Sequence, residues 1–211
     1  MYVPAHFSVE DRERILDFIR REPFGILVSQ VEGLPFATHV PFVPLSGGEP
    51  LVLGTHVARA NPQWQGVQAG TVLAIFHGPH AHVSAAWYAQ PQKTVPTWNY
   101  SAVHCYGTAR LADRATTLQI LERLVARHEG PEGWSFDAAD PAAIDRMLPA
   151  IVGIEVTVER VQAQFKFSQN RSIEDRHSVI AHLSESDYAP ARALAADMSA
   201  FYERDGDRRD Q

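Results

Sequence analysis

One segment of the chain places a hydroxyl, an imidazole, a guanidinium and a carboxamide side chain close together. Thr55 and His56 end an apolar stretch typical of a strand, Arg59 follows three residues later, and Asn61 stands directly before a proline. A hydroxyl, a fixed cation and the free backbone N–H groups at the start of a helix are the groups that bind a phosphate. The same residues are also typical of an ordinary turn and helix cap, so the spacing alone leaves both interpretations open.

A second group of candidate residues combines aromatic rings with polar side chains near the ends of predicted strands. Trp98 and Asn99 offer stacking surface together with hydrogen-bonding groups, as a flat heteroaromatic ligand needs. Packing of an aromatic strand into the core explains the same pattern. Lys166, one of two lysines in the chain, lies between two phenylalanines shortly before Gln169. Its ammonium group either meets an anion or extends into solvent to guard the edge of a sheet.

Three histidines close together in the chain raise the question of a metal site. His80 and His82 alternate along a predicted strand and share a face, whereas His77 is expected on the other side of a turn at Gly78-Pro79. No carboxylate or thiolate ligand is near in sequence. We therefore assign no metal and expect a hydrogen-bonded hairpin tip, with a metal site at His77, His80 and His82 as the open alternative.

Charge is distributed unevenly along the 211 residues of the chain. The 19 basic and 25 acidic side chains give a net charge of −6, which argues against a chain-wide basic surface for nucleic acid. Between Glu49 and Asp113, however, there is no aspartate or glutamate, and five histidines stand in that segment. A segment without carboxylates can lie against an anion without repelling it. It also cannot contribute a pair of carboxylates for acid–base catalysis.

Missing features exclude several classes of protein. The sequence has no glycine-rich dinucleotide motif, no Walker loop, no nucleophile elbow and no Cys-x-x-Cys or His-Glu-x-x-His spacing. Cys105 is the single cysteine, so no disulfide can form within the chain, and we predict a cytoplasmic location. The opening residues do not resemble a signal peptide, and no apolar run is long enough to span a membrane.

The elements that must position these residues are closely spaced strands followed by helices. The pattern predicts six or seven strands, at 25–31, 35–43, 51–55, 71–77, 80–85, 97–111 and 152–167. Helices are predicted at 8–21 with Ser8 as the cap, at 61–68, 113–128, 172–183 and 186–203, and briefly after Asp140. A polar tail is predicted from Glu203 to Gln211. Hairpin-linked strands without long helix–strand alternation indicate an α+β fold around an antiparallel β-barrel.

Five motifs, in order along the chain, resemble the PaiB family. They are Met1-Tyr2-Val3-Pro4 with His6-Phe7, Thr38-His39-Val40-Pro41, the segment Thr55–Trp64, the segment Val95–Tyr100 with Val103-His104, and Lys166–Asn170. The resemblance covers residues 1–183, which we take as one domain, and leaves 184–211 as a C-terminal helix and polar tail. The family comprises FMN-binding split-barrel proteins described as negative transcriptional regulators. The resemblance therefore implies an antiparallel split β-barrel with inserted and C-terminal helices.

The resemblance also implies which residues contact FMN. Thr55, Arg59 and Asn61 are expected at the flavin phosphate, in the same loop that the spacing of polar residues indicates independently. Thr38 and His39 are expected near the edge of the isoalloxazine ring. The remaining implied cofactor-binding residues are His56, Trp98, Asn99, Lys166 and Gln169. The resemblance further implies a homodimer with FMN in clefts between the subunits.

The sequence leaves three functions open. A dimer that binds FMN and represses transcription, directly or through a partner, is the leading hypothesis. A flavin-dependent oxidoreductase acting on an unknown small molecule is the second, and a haem-binding split-barrel protein is the third. The sequence argues weakly against direct DNA binding, because no predicted helix carries the clustered arginines and lysines of a recognition helix.

Overall fold

The computed structural model describes residues 1–130 and 132–205 as a mixture of strands and helices. These residues form eight strands: β1 (Ser8–Val9), β2 (Phe24–Val31), β3 (Leu34–Pro41), β4 (Val43–Ser46), β5 (Val52–Ala58), β6 (Thr71–Val83), β7 (Thr97–Leu111) and β8 (Ile151–Lys166). They also form six α-helices: α1 (Arg12–Arg21), α2 (Gln63–Gly66), α3 (Arg114–His128), α4 (Pro141–Met147), α5 (Ile173–Ser184) and α6 (Ala189–Asp205). The part of the predicted polar tail beyond residue 205 lies outside the described residues. None of the described helices is both long and apolar enough to cross a membrane.

The chain divides into two compact units, and each is described separately below. The sheet unit consists of residues 16–76 and 104–161, and the helical unit consists of residues 1–15, 77–103 and 162 onward. The three longest strands, β6, β7 and β8, each continue from one unit into the other.

The strands follow the order β3-β2-β6-β7-β8-β5-β4, and β1 pairs with β8. β2 and β3 form an antiparallel hairpin. They pair without a break from Phe24 opposite Pro41 to Val31 opposite Leu34. Its turn places Glu32 and Gly33 at φ values of 53° and 80°, the conformation that a two-residue hairpin turn requires. The turn therefore fixes the register of β3 and decides which of its side chains face inward.

Helix α3 packs closely on β5 and β8 because each strand places a glycine beneath it. A Cβ atom added at Gly54 would lie 2.6 Å from Ile120, and one added at Gly153 would lie 2.3 Å from the Thr117 hydroxyl. Ile120 is fully buried and forms a small apolar core with Val43. The close approach brings the start of α3 next to the beginning of β8.

The helical unit has its core between α5 and α6. Val179 and Leu183 of α5, and Leu194 and Met198 of α6, are almost completely excluded from solvent. Burial of an apolar side chain of this size contributes about 1.5–3 kcal/mol. The two helices are therefore held by packing rather than by the weak intrinsic helix propensity of short segments.

The α+β class and the antiparallel sheet expected from the sequence are confirmed, but the predicted turn at Gly78-Pro79 is wrong. β6 runs through these two residues without interruption from Thr71 to Val83. The fixed φ of proline, near −65°, is compatible with extended backbone, and its missing N–H removes a single hydrogen bond. Two short strands, β1 and β4, were not predicted, because two and four residues show no clear alternation.

The predicted capping role of Ser8 is also wrong. Ser8 lies in β1 and pairs with Gln164 of β8. Helix α1 begins later, and the Asp11 carboxylate accepts a hydrogen bond from the backbone N–H of Arg14 at 3.1 Å. A serine and an aspartate three residues apart both match the cap pattern, and strand pairing decides between them.

Candidate functional site

The predicted site residues divide between the two units. Those in the sheet unit are Thr38, His39, Thr55, His56, Arg59 and Asn61. Those in the helical unit are Trp98, Asn99, Lys166 and Gln169.

Asn61 connects the loop after β5 to the hairpin. Its side-chain Nδ2 donates to the hydroxyl of Thr38 at 3.0 Å, and its Oδ1 accepts from the backbone N–H of Gln63 at 2.9 Å. The helix expected to continue to Gln68 is the single turn α2, so its N-terminus offers only a small dipole to an anion. The side chains of Asn61 and Thr38 therefore hold each other, although the resemblance assigns Asn61 to the flavin phosphate and Thr38 to the edge of the ring.

Gln63 is a structural residue of this loop that no sequence pattern singles out. It is fully buried, and its Nε2 donates to Leu27 O and Ser29 Oγ at 3.0 Å each and to Phe36 O at 3.3 Å. These bonds fasten the loop to both strands of the hairpin. No local signal distinguishes such a glutamine from a solvent-exposed one, because all three partners are distant in sequence.

Arg59 is held rigidly although its side chain is exposed. Its Nε donates to Pro149 O at 3.3 Å and its Nη2 donates to Ile151 O at 3.0 Å. The guanidinium carbon lies 5.2 Å from the ring centroid of Trp64, whose Nε1 donates to Arg59 O at 2.9 Å. Among the described residues, no bond is made by Nη1, so one edge of the guanidinium remains available to an anion.

A cavity of about 400 Å³ lies beside Arg59, between the start of α3 and the beginning of β8. Its polar side chains are Arg59, Arg114, Thr117 and Asp145, and we call it the arginine cavity. The rest of its lining consists of Leu111, Ala112, Leu148, Pro149, Ile151, Val152 and Gly153. Arg114 forms an ion pair with Asp145 at this cavity.

Thr55 and His56 are neighbours on β5 and therefore face opposite sides of the sheet. Thr55 is fully buried, and its hydroxyl donates to Pro41 O at 2.7 Å. His56 pairs with Gly153, and its Nδ1 is buried without a hydrogen-bond partner among the described residues. Burial lowers the pKa of His56, so its imidazole is neutral near pH 7 and can accept or donate a hydrogen bond.

His39 does not lie with Thr38, because neighbouring residues of β3 also face opposite sides. The His39 ring is exposed and stacks on Phe24 at a centroid separation of 6.5 Å and an interplanar angle of 26°. It therefore offers an aromatic surface on the outer face of the hairpin.

In the helical unit, the structure separates Trp98 from Asn99. Trp98 is 53% exposed, and its ring centroid lies 6.1 Å from that of His80 and 6.0 Å from that of His82. Asn99 is fully buried on the other face of β7, where its Nδ2 donates to Ser168 Oγ at 2.9 Å. Its Oδ1 has no partner within residues 1–130 and 132–205.

Lys166 lies at the end of β8, which has neighbours on both sides, so the interpretation as an edge guard is wrong. Its Nζ donates to Trp98 O at 2.7 Å and to the hydroxyl of Thr97, and it lies 5.9 Å from the ring centroid of Phe7. Burial lowers the pKa of Lys166, and the positive charge of Arg171 lowers it further.

Gln169 shapes the turn that follows β8. Its Oε1 accepts from the backbone N–H of Phe167 at 2.7 Å, and its Nε2 donates to Phe165 O. Ser168 adopts a φ of 68°, which is uncommon for a residue other than glycine. Both ends of the Gln169 side chain thus bond to the backbone of its own turn.

The three clustered histidines lie on the continuous strand β6. The rings of His77 and His80 are in edge-to-face contact at 4.7 Å between centroids. In the part of the chain that the structure describes, no group of three or more His, Cys, Asp or Glu side chains is arranged to hold a metal ion.

Comparison with known proteins identifies relatives of this chain. The family model described as "Putative FMN-binding domain" matches residues 1–160. The protease synthase and sporulation protein PAI 2 of Bacillus subtilis is 37% identical over 200 residues, which cover 92% of this chain and 95% of the relative. These matches confirm the resemblance to the PaiB family that the five motifs indicate.

Solved structures share the fold at low sequence identity. The flavocytochrome Anf3 from Azotobacter vinelandii has a TM-score of 0.61 and 16% identity, with 78% of this chain and 72% of that chain covered. The FAD and haem binding protein from Mycobacterium smegmatis has a TM-score of 0.58 and 13% identity, with 81% and 78% covered. Both similarities concern the fold alone.

Proposed function

Because this chain belongs to the PaiB-type family of FMN-binding proteins, we propose that it binds FMN with the phosphate at Arg59 and acts as a negative regulator of transcription. The observation that carries the assignment of Arg59 is the arginine cavity, which lies beside a guanidinium fixed by two backbone carbonyls. A preorganised cation of this kind binds a phosphate without first paying the full entropy of ordering a long side chain.

The residues near Arg59 fit a phosphorylated ligand in two further respects. The imidazole of His56 is neutral, and its buried Nδ1 has no partner among the described residues, which leaves one hydrogen bond for a bound water to supply. Thr38 and Asn61 bond to each other and keep the loop after β5 in place. We therefore assign Arg59 to direct contact and Thr38, Thr55 and Asn61 to positioning.

Bound FMN supplies a ring that can be reduced and reoxidised. The described residues around Arg59 would hold its phosphate, and the placement of the ring near Thr38 and His39 stays a prediction. Trp98 and Lys166, which the family resemblance places near the cofactor, stay predictions, as does a homodimer with FMN between the subunits.

The basic residues of α1 are more consistent with a regulator that acts through a partner than with one that binds DNA directly. Contrary to the expectation that no helix has clustered basic residues, α1 carries four arginines in ten residues, but Arg14 lies 3.7 Å from Asp11 and Arg20 lies 3.3 Å from Asp17. Arginines paired in this way contribute less to phosphate binding than free ones. In a gel-shift titration with salt, we expect the protein to bind DNA weakly, without sequence preference, and with an affinity that falls steeply with ionic strength. Sequence-specific DNA binding at physiological salt would favour direct repression instead.

The absorbance spectrum of the purified protein tests the proposed function. We expect a flavin absorbance band at about 450 nm that persists when NADH and NADPH are added, because a regulator does not need to reduce and reoxidise its flavin. Rapid bleaching by either nucleotide followed by reoxidation in air would favour the oxidoreductase. A Soret band at about 400 nm after reconstitution with haem would favour the haem-binding protein. Absence of flavin binding, both as purified and after titration with FMN, would refute the proposal.

A cytoplasmic location is also proposed. Cys105 is buried, and burial raises the pKa of its thiol to about 12, so the thiolate that forms disulfides is scarce at neutral pH. The chain therefore gains no stability from an oxidising compartment.

A further inference from the structure

We propose that Arg114 supplies the second cation for the phosphate of FMN, and that the phosphate takes the place of Asp145 as its partner. This inference rests on the proposed function and adds to it two residues of the arginine cavity. It follows from the charges in the cavity, from the exposure of the ion pair and from the way in which each arginine is held.

The charge of the ligand requires more than Arg59. A phosphate monoester carries about −1.5 to −2 charges near pH 7, whereas one guanidinium carries a single positive charge. Of the residues that the structure describes, Arg114 is the other basic side chain in the lining of the cavity, and Asp145 is the acidic one. While Arg114 is paired with Asp145, the three charges sum to +1; a phosphate that displaces Asp145 contacts two full cations.

The two arginines are suited to different tasks. Arg59 is fixed by Pro149 O and Ile151 O and gives the phosphate a defined position. Arg114 has a side chain that is 63% exposed, and that of its partner Asp145 is 60% exposed. An ion pair so exposed contributes about 0–1 kcal/mol, so a phosphate oxygen can replace the carboxylate at small cost.

The exchange is also possible without unfolding the site. Arg114 is the first residue of α3. The helix is capped by the neighbouring Asp113, whose carboxylate accepts a hydrogen bond from the backbone N–H of Thr116 at 2.8 Å. Asp145 lies near the end of the short helix α4, where a carboxylate is not stabilised by the helix dipole. Breaking the Arg114–Asp145 pair therefore leaves both helix starts intact.

The experiment compares FMN with riboflavin, which lacks the phosphate, by quenching of flavin fluorescence. Arg114→Gln removes the proposed cation, Asp145→Asn removes the competing carboxylate, and Arg127→Gln alters an exposed arginine on the same helix as a control. We expect Arg114→Gln to weaken FMN about 10-fold or more and leave riboflavin unchanged. Asp145→Asn should tighten FMN binding, and Arg127→Gln should change neither affinity.

A second readout does not depend on flavin. Inorganic phosphate in millimolar amounts should raise the thermal unfolding midpoint of the wild type and of Arg127→Gln, and raise that of Arg114→Gln less. Ionic strength is matched with chloride, so that screening affects all proteins equally.

The outcomes separate this inference from the proposed function. If Arg59→Gln weakens FMN and Arg114→Gln does not, the second cation is wrong while the phosphate at Arg59 stands. If Arg114→Gln weakens FMN and riboflavin equally, it acts through the fold and the inference fails. Weaker FMN binding by Asp145→Asn refutes the exchange. If FMN and riboflavin bind equally to the wild type and inorganic phosphate still stabilises it through Arg114, the cavity serves another phosphate ester, and both the inference and the phosphate at Arg59 fail.

Discussion

Replacement of Arg59 by alanine is the sharpest test of where the phosphate binds. The substitution removes a charge-assisted hydrogen bond to the ligand, which is worth about 1.5–3 kcal/mol. This corresponds to a loss of FMN affinity of about 10- to 150-fold. Riboflavin, which has no phosphate to lose, should bind to Arg59→Ala and to the wild type with the same affinity.

The structure also predicts how much stability the same substitution costs. Arg59 donates to Pro149 O and Ile151 O and covers the ring of Trp64. These contacts are exposed, and the freed carbonyls can turn to water, so we expect a loss of about 1 kcal/mol or less in the free energy of unfolding. The loss in binding is therefore larger than the loss in stability.

Two measurements on the same samples check this reasoning. Fluorescence titrations give the affinities for FMN and riboflavin, and urea unfolding without flavin gives the free energy of unfolding. Arg59→Lys keeps the charge and loses the planar fork, so its FMN affinity should lie between those of alanine and wild type. Unchanged FMN affinity in a folded Arg59→Ala protein would refute the phosphate assignment, and a parallel loss for riboflavin would show that Arg59 acts through the fold.

Further predictions concern the residues that hold the loop and the strand beside it. Gln63→Leu removes three hydrogen bonds of a fully buried amide and should cost about 2–4 kcal/mol in urea unfolding, whereas Gln65→Leu on the exposed side of the same helix should cost little. Thr55→Val leaves Pro41 O without its donor and should cost about 1–3 kcal/mol by the same measurement. Burial lowers the pKa of His56, so the unfolded state binds its proton first as pH falls; stability should decline below about pH 6.5, and less steeply in His56→Asn.

The sequence predicted the elements well where side chains alternate over a long stretch. β7 was predicted at 97–111 and is observed as Thr97–Leu111, because alternation of buried and exposed residues persists along it. The helix from Arg114 was predicted through its Asp113 cap, which is a local signal. Gly78-Pro79 misled the prediction because a dipeptide typical of turns is also compatible with a strand whose neighbours hold it extended.

The candidate site was harder to predict because a motif does not say where its side chains point. Thr38 with His39, Thr55 with His56 and Trp98 with Asn99 are adjacent pairs within observed strands. The period of two places the members of each pair on opposite faces, so no such pair can contact a ligand from one side. A motif that includes both members mixes residues that face a ligand with residues that hold the strand.

Arg114 and Asp145 of the arginine cavity lie outside the motifs for a related reason. Arg114 stands directly after Asp113, where the acid-free segment ends, and Asp145 is 31 residues further along. Only the packing of α3 on Gly54 and Gly153 brings Arg114 to the beginning of β8, next to Arg59. The acid-free segment thus supplies one fixed arginine, and the acid-rich half of the chain supplies both a second arginine and the carboxylate that holds it. A phosphate that outcompetes this carboxylate would gain two cations, so we expect selectivity for FMN over riboflavin to depend on the acidic half of the chain as well as on Arg59.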